Sequence, residues 1–335
     1  MKHLRMTHRG FTLIELMISM VLGLVIIAGV VSVLLANRRT YDTNEGFSQV
    51  QESARTAFEL IARDVRQAAG NGCDNTKGTS NIVNVGGWWR DWKGMQGYDE
   101  AQVNPAVAIG TAVGQRVAGT DSIYTQGLDG VALPVELHAA TAGRLEINAA
   151  TTPFVVNDIL MVCDFDHAAI FQVTAYDASI PAVFHAASGG SVGNCAQGLG
   201  FPTLCDGSAG NVYTFNPNAQ IGRFSAVSWY VGNNGRTTDS GTSLYRARLG
   251  AGGAVVTEEI VSGVTDMNVQ YGVTGMNTVS DASTLTPANW EDVNSVFITL
   301  TATSSDANVS TASAVNAGRL TRTFTYLITI RNRVP

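Results

Sequence analysis

The sequence predicts an α+β protein: one long N-terminal helix packed on a mainly antiparallel β-sheet. Three observations carry this expectation. An apolar run begins at Phe11 and reaches Ala36, an amphipathic periodicity continues it to about Ala69, and after Gly70 the texture changes to short β-like runs set among Gly, Asn, Asp, Ser and Pro.

The apolar run, FTLIELMISMVLGLVIIAGVVSVLLA, holds 26 residues and one charge, Glu15. About 20 apolar residues cover a bilayer's hydrocarbon core, so 11–36 reads as a membrane-spanning segment. Lys2, Arg5 and Arg9 precede it without an acid. Positive-inside logic therefore keeps 1–10 cytoplasmic and sends everything after about Arg39 outward. A cleavable secretory signal has a shorter apolar core with small residues on its far side, whereas this run continues to Ala36. A plain single-pass anchor gives no reason for Glu15, since a carboxylate near that depth costs roughly 2.5 to 3.5 kcal/mol on insertion scales.

Beyond the membrane segment, 37–70 reads as the amphipathic half of the same helix. Phe47, Val50, Ala54, Ala57, Phe58, Ile61, Val65 and Ala68 recur at three- and four-residue steps. Glu52, Arg55, Glu59, Arg63, Asp64 and Arg66 fall mostly off that stripe. No proline occurs before Pro105, and a helix from Phe11 to about Ala69 would measure about 88 Å, with Gly46 as its weak point. Gly70 and Gly72, flanking Asn71, are stop signals. The remainder, 71–335, reads as one β-rich head with no linker or internal repeat. Its candidate strands are 122–126, 144–148, 159–163, 170–175, 224–231, 243–248, 267–273, 296–303 and 321–331.

Charged residues make up only 14% of the chain and Gly reaches 35, a profile suited to an exported, loop-rich surface protein. The net charge of −6 repels phosphate backbones, so no direct nucleic-acid binding is expected. Cys73, Cys163, Cys195 and Cys205 form an even set with no C-x-x-C and no zinc-like Cys/His spacing. Disulfides are expected outside the cytoplasm. Three pairings are open, of which Cys195 with Cys205 would close a short loop and leave Cys73 with Cys163.

Few residues suggest turnover. Gly189, Ser191 and Gly193 satisfy G-x-S-x-G, but no helical pattern follows, as a nucleophile elbow requires. No phosphate-binding loop and no H-E-x-x-H appear. Asp164, Asp166 and His167, in CDFDH, could hold a cation, but acids alternating at a strand end more often serve turns. His138 and His185 look isolated. Trp88, Trp89 and Trp92 form the densest aromatic patch, either a binding hot spot or a loop folded onto the sheet, with the second favoured. No enzyme activity, cofactor or metal is expected.

The string Arg9-Gly10-Phe11-Thr12-Leu13-Ile14-Glu15-Leu16 resembles the class III signal of type IV prepilins. The resemblance implies cleavage after Gly10 by a prepilin peptidase, N-methylation of Phe11, and an assembly role for Glu15. On a helix Glu15 lies about 6 Å along the axis from Phe11, within reach of an N-terminal ammonium. In a filament that ammonium would belong to a neighbouring subunit. The segments QESARTAFELIARDVRQAAGNGC, NDILMVCDFDHAAIFQVT, EEIVSGVTDMNVQYGV and RTFTYLITIRNRVP resemble parts of PilW-type minor pilins. The helix-bending proline of many major pilins is missing from the membrane run, leaving Gly23 and Gly29 as its flexible points. Ser19 and Gly23 could permit close helix approach.

What the resemblance implies is a minor pilin that helps to initiate or cap a type IV pilus, and so serves motility, adhesion or uptake. Its partners would be other minor and major pilins, the prepilin peptidase, the inner-membrane assembly platform and, before assembly, membrane lipid. It would sit as a single-pass inner-membrane protein with a periplasmic head and later in a cell-surface pilus. Loss of the leader takes Lys plus Arg from 21 to 18 against 27 acids, for a mature charge of −9 without termini. A type II secretion minor pseudopilin is the nearest alternative; a membrane-tethered adhesin or hydrolase is one of another class.

Overall fold

The computed structural model describes residues 10–73, 78–84, 86–177, 179–307, 309 and 318–333. Of the leader, only Gly10 lies within them. The helix α1 spans Leu13–Arg66, 54 residues or about 81 Å. It ends three residues before the expected Ala69. Gln67, Ala68 and Ala69 form a turn, and Ala69 takes a left-handed φ of 60° while its N–H donates to Gln126 O at 2.9 Å. Gly72 completes the reversal with a φ of +82°, where an added Cβ would stand 2.5 Å from Leu128 Cδ1.

The two halves of α1 have opposite surroundings. From Leu13 to Glu45 the side chains are exposed, apart from half-buried Gly23 and Thr43. Full burial begins at Gly46, and Val50, Ala54, Ala57, Ile61, Ala62 and Val65 follow it as the buried stripe. Two expectations change here. Gly46 is no weak point: the helix runs through it unbroken, and a Cβ there would lie 3.0 Å from Val309 Cγ1, so the residue's smallness permits the contact. Phe47, one residue and about 100° further round, is 39% exposed and leaves the stripe. Between the apolar run and the head, Asn37 to Glu45 forms a polar neck of about 14 Å, exposed except at Thr43, whose Oγ1–H donates to Val309 O at 2.9 Å.

Eleven strands among the described residues form the larger sheet: β1 (Thr79–Asn81), β2 (Met95–Tyr98), β3 (Ser122–Ala139), β4 (Arg144–Ile147), β5 (Ile159–Cys163), β6 (Ala168–Gln172), β7 (Ala175–Asp177), β8 (Ala182–Phe184), β9 (Gln220–Asn233), β10 (Thr242–Leu249) and β11 (Val255–Ser262). Four form the smaller: β12 (Val264–Val273), β13 (Ser280–Asp281), β14 (Val293–Thr303) and β15 (Thr321–Thr329), in the order β13-β12-β14-β15. All pairings are antiparallel except β1 with β6. The architecture is α+β, as expected.

The main core lies where α1 meets both sheets. Val296, Ile298 and Leu300 of β14 alternate inward with Ile328 of β15, and meet Ala57, Ile61 and Val65 of α1 with Ile123, Trp229 and Leu244 of the larger sheet. Phe58 stacks on Tyr326 at 4.0 Å. Trp229 Nε1–H donates to Asp64 Oδ2 at 3.0 Å, so this helix acid faces the head, where burial raises its pKa.

Two disulfides tie the head. Cys73–Cys163 fastens the chain just beyond α1 to the end of β5, with 5.9 Å between Cα atoms, and Cys195–Cys205 closes a loop with 5.1 Å. Beneath that second loop His138 and His185, which look isolated in sequence, face each other with Nε2 atoms 3.1 Å apart. Phe215 N–H donates to His138 Nδ1 at 3.0 Å, so neutral His138 carries its proton on Nε2 and donates to His185, whose Nδ1–H donates to Gln197 O at 3.0 Å. Burial pushes both histidines well below the ordinary value of 6.5, and any charge on His138 lowers His185 further.

Two outcomes are expected. Replacing Cys73 and Cys163 together with Ser should destabilise the head by about 4 kcal/mol, because the bond closes a loop with a sequence separation of 90; thermal unfolding of the oxidised protein and its variant measures this. The unfolded chain also binds protons at these two histidines more readily than the folded one. Their contribution to stability is thus complete above pH 6.5 and is lost as pH falls below it. Near-ultraviolet circular dichroism melts from pH 8 to 4.5 should show a midpoint that drops below pH 6.5, with a shallower drop for His185→Phe.

Candidate assembly site at the start of the helix

The first turn of α1 is built by its own sequence. Thr12 is the N-cap, with extended backbone at φ −84° and ψ 150°. Glu15 N–H donates to Thr12 Oγ1 at 3.3 Å, while Thr12 N–H and Oγ1–H donate to Glu15 Oε2 at 3.0 and 2.9 Å. This reciprocal capping box satisfies helix-end donors that no earlier turn can reach. Both Thr12 bonds fall on Oε2, and Oε1 has no hydrogen-bond partner among the described residues.

Glu15 therefore holds its place at the helix end while half of its carboxylate stays open. Its negative charge has no counter-ion among the described residues. Phe11, 82% exposed, and Gly10, with no atom within 4 Å of a built Cβ, leave the junction bare. Ser19 Oγ–H donates to Glu15 O at 2.6 Å, and Gly23 and Gly29 have open space beside them. Thr12 is the residue that sequence reasoning passed over. Its signal was present in Thr-Leu-Ile-Glu, the S/T-x-x-E spacing of a capping box.

The other candidates lie elsewhere in the head and do not converge on this turn. Ser191 Oγ–H donates to Gly252 O at 3.2 Å and accepts from Gln172 Nε2 at 3.1 Å, in a loop between β8 and β9 rather than on a strand-to-helix elbow. Asp164 serves a turn: Oδ1 accepts the backbone N–H of Asp166 and of His167, each at 3.0 Å, and the carboxylate accepts Tyr213 O–H. His167 Nε2 lies 2.6 Å from Leu199 O. Among the described residues no group of three or more His, Cys, Asp or Glu side chains is arranged for a metal ion. Trp89 is buried, Trp88 packs edge-on against Tyr124 at 5.2 Å, and Trp92 lies 6.4 Å from the Phe224 ring. The tryptophan loop has folded onto the sheet.

Comparison with known families places matches at both ends of this architecture. The family described as the prokaryotic N-terminal methylation motif matches residues 5–31, covering the capped turn and most of the apolar rod. The family described as Type IV Pilus-assembly protein W matches residues 228–332, covering most of β9 to β11 and the whole smaller sheet on which α1 lies. Neither the curated proteins nor the solved structures gave a match. The two family matches, on the signal turn and on the helix-packing sheet, support a PilW-type, prepilin-like protein.

Proposed function

We propose that this chain is a minor pilin: trimmed after Gly10, methylated at Phe11, and drawn into or beneath the tip of a type IV pilus, where it helps to initiate or cap the filament. The observation that carries the reading is the bare apolar rod of α1 with a half-open carboxylate in its first turn. Before assembly the rod lies in the inner membrane as a single span, with the polar neck from Asn37 to Glu45 at the headgroup level and the head in the periplasm. During assembly the same surface packs against the helices of other minor and major pilins on the inner-membrane platform, and the finished filament carries the head to the cell surface. The work is packing rather than turnover, with no cofactor and no nucleic-acid partner.

Glu15 is the recruitment device in this scheme. Its Oε1 meets the methylated ammonium of a neighbouring subunit's Phe11, pairing a charge that lipid alone leaves uncompensated. The capping box gives a way to separate the charge from the cap. Glu15→Gln keeps an amide oxygen for Thr12 but carries no charge; Thr12→Val keeps the charge and loses the cap, worth about 1 kcal/mol. With each variant as the only copy, Glu15→Gln should reduce incorporation into sheared filaments about tenfold or more, and Thr12→Val should reduce it much less. Normal incorporation of Glu15→Gln would refute the charge-pairing role.

A further inference from the structure

A cavity of about 430 Å³ opens between β2 and two short turns that precede β14. Its lining combines apolar Trp92, Leu285, Pro287 and Trp290 with polar Lys93, Gln96, Gln102 and Glu291. This is the size and composition of a small-molecule site, with aromatic and apolar walls and a few polar groups.

Its walls are fixed by charged side chains. Asp99 accepts the N–H groups of Ala282 at 2.9 Å and Ser283 at 2.7 Å, holding the turn that leads to Leu285. The Arg333 guanidinium donates to Trp290 O and to Val293 O, holding the turn that carries Trp290 and Glu291. Trp290 is further seated edge-on against Tyr271 at 4.8 Å. Such a frame limits the ordering that a ligand must otherwise impose.

Its polar groups are open. Gln102 Oε1 accepts Asp99 N–H at 2.9 Å, which leaves its NH₂ free. Among the described residues, the Gln96 amide, the Lys93 ammonium, the Glu291 carboxylate and the indole N–H groups of Trp92 and Trp290 have no hydrogen-bond partner. The pocket thus offers donors and acceptors side by side next to aromatic surface, with its one ammonium balanced by one carboxylate.

We propose that this pocket binds a neutral sugar ring. The apolar face of a pyranose suits the half-buried Trp92, and its hydroxyls both donate and accept, as the two glutamines and Glu291 require. A proline-rich segment, the other ligand that aromatic grooves take, brings carbonyl acceptors but no prolyl N–H, and would leave the Gln96 and Glu291 oxygens unpaired. The pocket lies near the end of α1 opposite the apolar run. Gln126 N–H donates to Gly94 O at 2.7 Å and Ala69 N–H donates to Gln126 O at 2.9 Å, linking the segment beside Lys93 to the turn that follows α1, about 81 Å along the axis from the start of the helix. Only the presentation of the site at the cell surface rests on the pilin reading; the binding chemistry does not.

The test uses the full mature chain in lipid nanodiscs, screened against an array of neutral oligosaccharides with sialyllactose and decaproline as controls, followed by titration calorimetry. At least one neutral oligosaccharide should saturate with a Kd of about 1 mM or tighter. Trp92→Ala and Gln96→Ala should each weaken it about tenfold. Gln96→Ala, whose amide holds nothing else in the fold, should keep the wild-type unfolding midpoint and normal filament incorporation, so loss of sugar binding is read apart from loss of assembly. The proposal is overturned if no neutral oligosaccharide on the array binds, if binding is indifferent to both substitutions, or if decaproline alone binds.

Discussion

Eighteen large apolar side chains between Phe11 and Leu35 stand exposed on a single bare helix, and this surface must leave water. Withdrawing it is worth on the order of 20 kcal/mol, against roughly 3 kcal/mol for taking one carboxylate to the membrane level of Glu15. The apolar term wins by a wide margin, so the acid does not prevent insertion. It determines instead which environment is best. Lipid satisfies the apolar rod and leaves Glu15 Oε1 without a partner, whereas a helix bundle that brings in a cation satisfies both.

The head is built to leave that rod alone. Its contacts begin at Thr43, whose Oγ1–H donates to Val309 O at 2.9 Å, and then follow small residues, Gly46, Ala54, Ala57 and Ala62 among them, which let the smaller sheet approach the helix backbone closely. The Phe58–Tyr326 stack and the Trp229–Asp64 hydrogen bond lock the distal half of α1, and the Cys73–Cys163 bond secures the chain just past its end. A rigid head joined through an uninterrupted helix moves with its membrane segment as one lever, so placing the rod in a filament also places the cavity near Trp92.

Much of this was legible in the residues because the strongest signals are one-dimensional. The apolar run and the lone acid at Glu15 need no tertiary information, and Ile159–Cys163 was read with its observed bounds because five apolar residues between turn signals describe a strand buried on both faces. The β11 strand was missed for the opposite reason. Val255–Ser262 carries adjacent acids, and only pairing across the sheet explains them: Glu258 bonds Arg246 and Arg248, and Glu259 bonds Arg236 and Ser243. The histidine pair was likewise invisible, since His138 and His185 are 47 residues apart and meet only when β4 bridges β3 and β8. Phe47 fits the three- and four-residue spacing of the stripe yet leaves it, because at that level the head packs on Gly46, about 100° round the helix.

In the proposed role Phe11, not Met1, begins the working protein, and its ammonium sits in a polymer. Intact and tryptic mass spectrometry of protein sheared from the cell surface tests all of this at once. The expected chain starts at Phe11, carries one N-terminal methyl group and is found in the sheared filaments. A chain that starts at Met1 and stays in the membrane fraction would contradict it.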